Sequence, residues 1–529
     1  MSKKYYITTP IYYVNDIPHI GHAYTTLACD VLARFHRLCG YDVKFLTGTD
    51  EHGQKVEKSA IAKGMDPQSF TDQVSESFRN LVKVMNFSND DFIRTTEPRH
   101  KAGAQALWNK LMAGGEIYLG KYEGWYSVRD EAFYAESELV DGKAPTGADV
   151  EWMVEPSYFF KLSAWQDRLL EFYEKNLDFI KPASRRNEVI SFVKGGLNDL
   201  SVSRTTCKWG VPVPGGVSLS LDPIVSEDRL HETLASSSRE EHVMYVWLDA
   251  LSNYISALGY PDEKYKHYWP ADVHVVGKDI IRFHAVYWPA FLMAADIEPP
   301  KTIMSHGWWT NEGEKISKSV GNVIDPFGLV EEFGLDQTRW FLMREVIFGN
   351  DGDFSRERMK LRINSELANK IGNLVQRTLS FVSKLEPSLR EAKSDEATQF
   401  IKKAYESDLL KLCVGSLNEF KVQMADQDIS GYLDGIVRIA DEANMYIDRE
   451  APWMLKKTDP VRMEEVLYVL LEAIRHIALY LQPVMPDSAA KILDQLGVSE
   501  RSFGSVGIDG AIKSDKPIAE PTGVFPRIV

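Results

Sequence analysis

At 529 residues the chain is too long for one ordinary hydrophobic core, and about three or four structural units are expected. With 44% hydrophobic and 26% charged residues it reads as a soluble globular protein, and its longest apolar stretches, such as residues 466–471, fall far short of a membrane span. The formal net charge of −15, from 61 Lys and Arg against 76 Asp and Glu, argues against nonspecific coating of nucleic acid, though not against contact with RNA through a local basic face.

The N-terminus, Met1-Ser2-Lys3-Lys4-Tyr5, runs straight into a strand-like segment without the apolar region and cleavage site of a secretory signal. Cys29, Cys39, Cys207 and Cys413 are scattered and suggest buried hydrophobes, so a cytoplasmic location is expected. Residues 5–9 form a short β-rich run, and a loop with Pro10, Asn15 and Pro18 follows. A helix starts near Gly21, places Leu27, Val31, Phe35 and Leu38 on one face, and ends at Gly40. Residues 43–46 are a second buried strand, with Thr47-Gly48-Thr49-Asp50 at its carboxyl end. This βαβ start predicts a doubly wound parallel sheet with ligands at the carboxyl ends of the strands.

From about residue 121 to 239, aromatics, prolines and glycines increase, as in Tyr122-Glu123-Gly124-Trp125-Tyr126, and the texture is that of a loop-rich insertion. Strand and helix alternation resumes at Val243-Met244-Tyr245-Val246-Trp247 and at Asp272-Val273-His274-Val275-Val276-Gly277. After about Asp353 the pattern is helical; Leu467, Leu470, Leu471, Ile474, Ile477, Ala478 and Leu481 keep a 3.6-residue period until Gln482-Pro483. Between Arg356 and Arg377 six basic residues stand against two glutamates, a local reversal of sign that suits RNA or simply a solvated helix face.

Two motifs carry chemistry. His19-Ile20-Gly21-His22 sits where strand gives way to helix, a place whose unpaired N–H groups and partial positive charge suit phosphate. Far downstream, Lys315-Ile316-Ser317-Lys318-Ser319 puts two lysines in a polar loop, apt for clamping a transferring triphosphate. Each alone could be a chance surface cluster; together they point to nucleotidyl transfer.

These segments resemble the HIGH and KMSKS signatures of class I aminoacyl-tRNA synthetases, with Ile316 in place of Met. Wider stretches resemble the methionyl-tRNA synthetase family over nearly the whole chain: Thr8-Thr9-Pro10-Ile11-Tyr12-Tyr13-Val14-Asn15, Thr47-Gly48-Thr49-Asp50-Glu51-His52-Gly53, Tyr245-Val246-Trp247-Leu248-Asp249-Ala250-Leu251 and Val276-Gly277-Lys278-Asp279-Ile280-Ile281-Arg282-Phe283-His284. The resemblance implies an α/β class I synthetase fold: a Rossmann-like parallel nucleotide-binding sheet split by an insertion, then an all-α anticodon-binding bundle. The expected divisions are 1–118 and 240–310 for the catalytic halves, 119–239 for the insertion, 311–357 for the KMSKS loop and stem-contact region, and 358–529 for the helical domain and C-terminal peptide.

It also implies ATP-dependent activation of L-methionine to methionyl-adenylate, followed by transfer to the terminal ribose of tRNA(Met). His19, His22, Lys315 and Lys318 would be catalytic, and Asn15, Gly21, Gly277, Asp279 and Ile316 would join them in holding ATP, which enters with Mg²⁺. Asp50 would hold the methionine ammonium beside Ile11, and Tyr13, Trp247, Ala250, Leu251, Tyr254, Ile280, Phe283, His284 and Trp288 would surround the thioether. Leu251 stands where some members carry proline. Read from the residues alone, the aromatics fit plain core packing too, and Asp50 a helix cap.

Many members bind zinc in the insertion through C-x-x-C knuckles. Here Ser127, Asp130, Ala144 and Gly147 stand at the ligand positions, so no structural zinc is expected, and Trp125, Tyr126, Phe133 and Tyr134 would hold the insertion together. At about 120 residues the insertion is too short for the editing domain of relatives specific for isoleucine, valine or leucine. Asn373 and Arg377, four apart on one helix face, and Trp453 match anticodon-reading positions, with a buried interhelical anchor as the other reading of Trp453. The chain ends at Gly523-Val524-Phe525-Pro526-Arg527-Ile528-Val529 without the RNA-binding module of dimeric relatives, so a monomer is expected. Another class I synthetase or nucleotidylyltransferase, and a catalytically dead RNA-binding homologue, are the competing readings.

Overall fold

A computed structural model describes residues 2–14, 17–129, 132–134, 136–214, 242–316, 321–385, 394–513 and 519–528. The chain opens with β1 (Lys4–Thr8) and the short β2 (Tyr12–Tyr13), then α1 (Ile20–Leu38) and β3 (Asp42–Asp50). After two further helices come β4 (Asp91–Arg94) and α2 (Pro98–Ala113). The buried stripe of α1, including Leu27, Val31 and Phe35, lies on the sheet, and Gly40 takes the left-handed conformation (φ 84°) that turns the chain into β3.

The insertion adds β5 (Ile117–Ser127), β6 (Ala132–Tyr134) and β7 (Glu151–Phe160), then β8 (Ile180–Lys181) and β9 (Leu200–Ser201). β5, β6, β7 and β9 make an antiparallel sheet in which Trp125 pairs with both Tyr134 and Trp152. The pair β10 (Ser203–Arg204) and β11 (Val243–Met244) leads to α3 (Val246–Leu251), followed by β12 (Val273–Gly277), β13 (Ile303–His306), β14 (Trp309–Asn311), β15 (Glu314–Lys315) and β16 (Gly352–Phe354).

The main sheet has seven strands, all parallel: β3 pairs with β1, β2 and β4, and the path continues from β1 through β12 and β13 to β8. β1 is therefore flanked by β3, which α1 connects to it, and by β12, which returns about 265 residues later, so the chain order reverses beside Thr8. Carboxyl ends of β1, β3 and β12 open onto that crevice. Gly48 is required in β3 because a Cβ there would lie 2.0 Å from the Ile93 carbonyl oxygen on β4. Strand β8 falls inside 119–239 yet pairs in the main sheet, so that segment serves two sheets where one inserted module was expected.

From α4 (Leu335–Arg344) onward the remainder is largely helical, including α5 (Asn373–Ser383), α6 (Ile429–Glu450), α7 (Pro452–Thr458) and α8 (Pro460–Leu481). This part shares one core with α1: Phe35 meets Tyr432 at 5.4 Å and Phe503 at 5.1 Å. Arg339, fully buried, ties the halves together by donating to Asp30 of α1 at 2.6 Å, to the Met85 carbonyl and to the carbonyls of Pro483 and Val484. Burial pushes the Asp30 carboxyl up, but Arg339 and Arg34 outweigh it and hold the group below its usual range. No helix among the described residues is long and apolar enough to cross a membrane.

Candidate active site

At the start of α1 the two histidines of the first motif cap the helix themselves. His19 Nδ1 accepts the Gly21 N–H at 3.1 Å, and His22 Nδ1 accepts the His19 N–H at 3.1 Å. With Nδ1 an acceptor in each ring, the imidazole proton sits on Nε2, the far nitrogen, as a donor. The rings lie 4.0 Å apart, and a Cβ on Gly21 would come within 2.9 Å of the His19 ring, so a side chain there would displace the cap.

These residues line a cavity of about 590 Å³ at the switch point. Ile11, Tyr13, Asp50, Trp247, Ala250, Leu251, Tyr254, Ile280 and His284 line it as well. Asp50 ends β3 and is 7% exposed. Phe283 and Trp288 do not line the cavity but back its wall. Phe283 stacks flat on Trp247 at 3.4 Å, and Trp288 is fully buried, 5.9 Å from the Tyr254 ring.

The wall groups packed around Tyr254 are uncharged, while Lys55 and Arg129 also line the cavity. Burial lowers His284 to about 4, so its ring is uncharged near neutral pH. It can then donate from Nδ1 to the Ile280 carbonyl (3.0 Å) and accept the Tyr254 hydroxyl at Nε2 (2.7 Å). His274, stacked on Tyr254 at 4.1 Å, is likewise pushed well down by burial, and Tyr254 is pushed up. A buried carboxylate beside a mostly apolar and aromatic wall suits an ammonium on an otherwise apolar ligand.

Gly277 ends β12, Asp279 follows it, and both line the same cavity. Beside them is Trp308, which sequence reasoning missed: its indole N–H donates to Asp279 Oδ1 at 3.2 Å, and Lys278 Nζ lies 4.2 Å from its ring centre. Lys278 is fixed by Asp351 at 2.7 Å. His306, also missed, lies 2.8 Å from the Thr25 hydroxyl on α1. The signal for both was position, because His306-Gly307-Trp308 ends β13 beside the switch point. Lys315 closes a tight hairpin whose turn residues Glu312 and Gly313 both have positive φ, and Ile316 lines the cavity. Asn15 and Lys318 lie outside the described residues.

Behind the cavity, Asp249 of α3 accepts from His52 Nδ1 at 2.6 Å and His100 Nε2 at 2.7 Å, all three buried. Burial pushes the Asp249 carboxyl up, and the two imidazoles, His52 first, outweigh it and hold it well below the usual carboxylate range.

In the insertion, Ser127 ends β5, Ala144 is buried and Gly147 turns with φ 79°; none offers a thiolate or imidazole. Asp130 lies outside the described residues. Arg129 donates to the Thr146 carbonyl at 2.6 Å, joining the two turns, while Trp125 meets Trp152 edge-on at 5.4 Å and Tyr126 is buried. Among the described residues no group of three or more His, Cys, Asp or Glu could hold a metal ion.

On the helical face, Asn373 and Arg377 lie one turn apart on α5. Arg377 stands 5.6 Å from the ring centre of Trp453 and pairs with Asp448 at 2.9 Å. Trp453 is 44% exposed at the start of α7, just after Ala451, whose φ of 43° turns the chain sharply between α6 and α7. The interhelical-anchor reading of Trp453 therefore fails, because an anchor would be buried.

The family model for class I tRNA synthetases (M) matches residues 5–151 and 146–379, and that for the anticodon binding domain of methionyl tRNA ligase matches residues 401–525. Methionine–tRNA ligase of Rickettsia felis is 61% identical across 100% of this chain and 99% of its own, and that of Mesorhizobium japonicum 51% identical across 100% and 98%. Among solved structures, Mycobacterium tuberculosis methionyl-tRNA synthetase in complex with methionyl-adenylate superposes with a TM-score of 0.88 at 47% identity, covering 99% of this chain and 100% of that one. The two motifs, the sheet that joins them and these full-length likenesses agree: the chain belongs to the methionine–tRNA ligase family of class I aminoacyl-tRNA synthetases.

Proposed function

We propose that the cavity divides the ligation of methionine to tRNA(Met) between two ends, and the observation that carries this reading is their shared space. The capping histidines of α1 and Asp50, beside the aromatic wall, line one and the same cavity. Methionine binds with its ammonium on Asp50 beside Ile11 and its thioether among Tyr13, Trp247, Ala250, Leu251, Tyr254, Ile280 and His284. Phe283 and Trp288 hold that wall from behind.

ATP, carrying Mg²⁺, lays its triphosphate over the start of α1, with Asn15 and Gly21 at its backbone approach and its nucleoside against Gly277, Asp279, Trp308 and Ile316. The methionine carboxylate, already an anion, attacks the α-phosphorus; the bond to the β,γ-pyrophosphate breaks and no general base is needed. The Nε2–H groups of His19 and His22 and the ammonium groups of Lys315 and Lys318 stabilise the charge that grows on the phosphoryl oxygens. In the second step the terminal ribose hydroxyl of tRNA attacks the adenylate carbonyl and AMP leaves.

Asn373, Arg377 and Trp453 read the anticodon, the indole by stacking and the amide and guanidinium by hydrogen bonding. The insertion holds its fold without zinc, and the enzyme works as a cytoplasmic monomer. Amino-acid-dependent ATP–pyrophosphate exchange across all twenty amino acids tests the assignment. Methionine is expected to drive exchange, and exchange driven by another amino acid but not by methionine would overturn it.

A further inference from the structure

We propose that Asp249 is a positioning residue for methionine activation, locking the ammonium anchor Asp50 to the aromatic wall through His52 and His100. The proposal rests on the reading of Asp50 given above. Asp249 lies on α3 between Trp247 and Ala250, both of which line the cavity, yet it is itself completely buried and is not part of the cavity lining. One carboxylate oxygen meets His52, two residues beyond Asp50 at the end of β3; the other meets His100 on α2. The second nitrogen of His100 lies 3.1 Å from the Ser256 hydroxyl, where α2 packs so closely that a Cβ on Gly103 would come within 2.4 Å of the Ser256 Cβ. Three elements thus meet at one buried carboxylate.

The intervening Glu51 is gripped from the other side. Arg94 donates two hydrogen bonds to it at 2.6 and 2.9 Å, the hydroxyls of Thr49 and Thr96 donate two more, and the Glu51 N–H donates to Thr95. Residues 51 and 52 are therefore fixed in opposite directions, which sets the direction in which Asp50 presents its carboxylate. A buried carboxylate is a costly way to fill space, and an apolar group of equal size serves stability as well. What the carboxylate adds is a fixed distance between anchor and wall, and a ligand as small as methionine must touch both. His52 and Asp249 are the groups that join them.

The test is pyrophosphate exchange by the full chain with methionine and ATP titrated separately, in Asp50→Asn, Asp249→Asn, the double variant, His100→Gln and His100→Leu. Asp249→Asn is expected to raise the KM for methionine about 10- to 100-fold while the KM for ATP stays within about twofold. The double variant is expected to be no worse than Asp50→Asn, because Asp249 acts through Asp50. His100→Gln, which keeps a donor near Oδ1, should retain methionine affinity that His100→Leu loses. An unchanged methionine KM in Asp249→Asn, equal rises for both substrates, or additive losses in the double variant would each overturn the proposal. A wild-type methionine KM in Asp50→Asn would overturn the reading of Asp50, and this proposal with it; a raised value there beside a normal Asp249→Asn overturns the proposal alone. If Asp249→Asn does not fold, the His100 pair decides, and equal methionine KM values in the two variants sink the idea.

Discussion

Around Asp50 the cavity wall is built from buried groups such as Tyr254 and His284, and His284 is held between Ile280 and Tyr254. On the helical face the corresponding groups stand at the surface: Trp453 is 44% exposed, and Arg377 shares itself between that ring and Asp448. The difference fits the ligands proposed for the two regions. A small amino acid offers few contacts, so discrimination comes from desolvated, preorganised groups. An RNA loop offers faces and edges that can be stacked and read one by one at modest energy each. Changes in the cavity should therefore be large and appear in amino-acid activation, whereas changes on the helical face should be small and appear only when tRNA is present.

The largest effect is expected at the phosphate end. Lys318→Ala should slow adenylate formation about a thousandfold while methionine affinity changes by less than about threefold, since the charge it meets develops mainly in the transition state. Single-turnover adenylation with independent methionine titration measures both, and equal losses in the two would erase the distinction between the two ends of the cavity.

Next in size is a pH effect confined to the interior. His284 titrates near 4 when folded, because burial disfavours the imidazolium, against about 6.5 in an open chain. Its folded pKa is lowered, so its contribution is full above about 6.5 and is lost as pH falls toward 4, while the unfolded chain takes up the proton first. The loss is on the order of 3 kcal/mol. Denaturant midpoints at pH 7 and pH 4.5 should show the wild type losing more than His284→Gln by about that amount, and parallel losses would mean that the ring is not held neutral.

Much of the cavity was legible in the sequence because its residues sit in short runs at strand ends, where a doubly wound sheet must bind its ligand. Asp50 and His19 are such residues. What sequence could not supply is depth. Phe283, Trp288 and Tyr254 carry equally convincing rings, and only packing decides that Tyr254 reaches the cavity while the other two stand behind it. Trp308 and Asp249 were illegible for a related reason. One gains its meaning from Lys278, Asp279 and Asp351, the other from His52 and His100, contacts between residues up to about 200 apart. The return of β8 into the main sheet was hidden because two residues, Ile180 and Lys181, carry no periodicity.

On the helical face the effects shrink. Trp453→Ala should weaken tRNA binding by about 1–3 kcal/mol, the worth of one stacked base, and leave pyrophosphate exchange unchanged. A fall in exchange would show that α7 supports the catalytic half and that the two faces are not independent.

The smallest effect tests the surface character of that face most directly. Asp448 is 64% exposed and holds Arg377 at 2.9 Å, so the pair contributes less than about 1 kcal/mol to the free protein and weakens with salt. An RNA loop that takes a hydrogen bond from Arg377 must displace this carboxylate and bring its own phosphates near it. Asp448→Asn removes both obstacles at once. Binding of tRNA should tighten by at most about threefold at low salt and show no change at high salt, where the carboxylate is already screened. Weakened binding, measured by titration at two ionic strengths, would mean that Asp448 orients the guanidinium, which would make this face preorganised in the same way as the cavity.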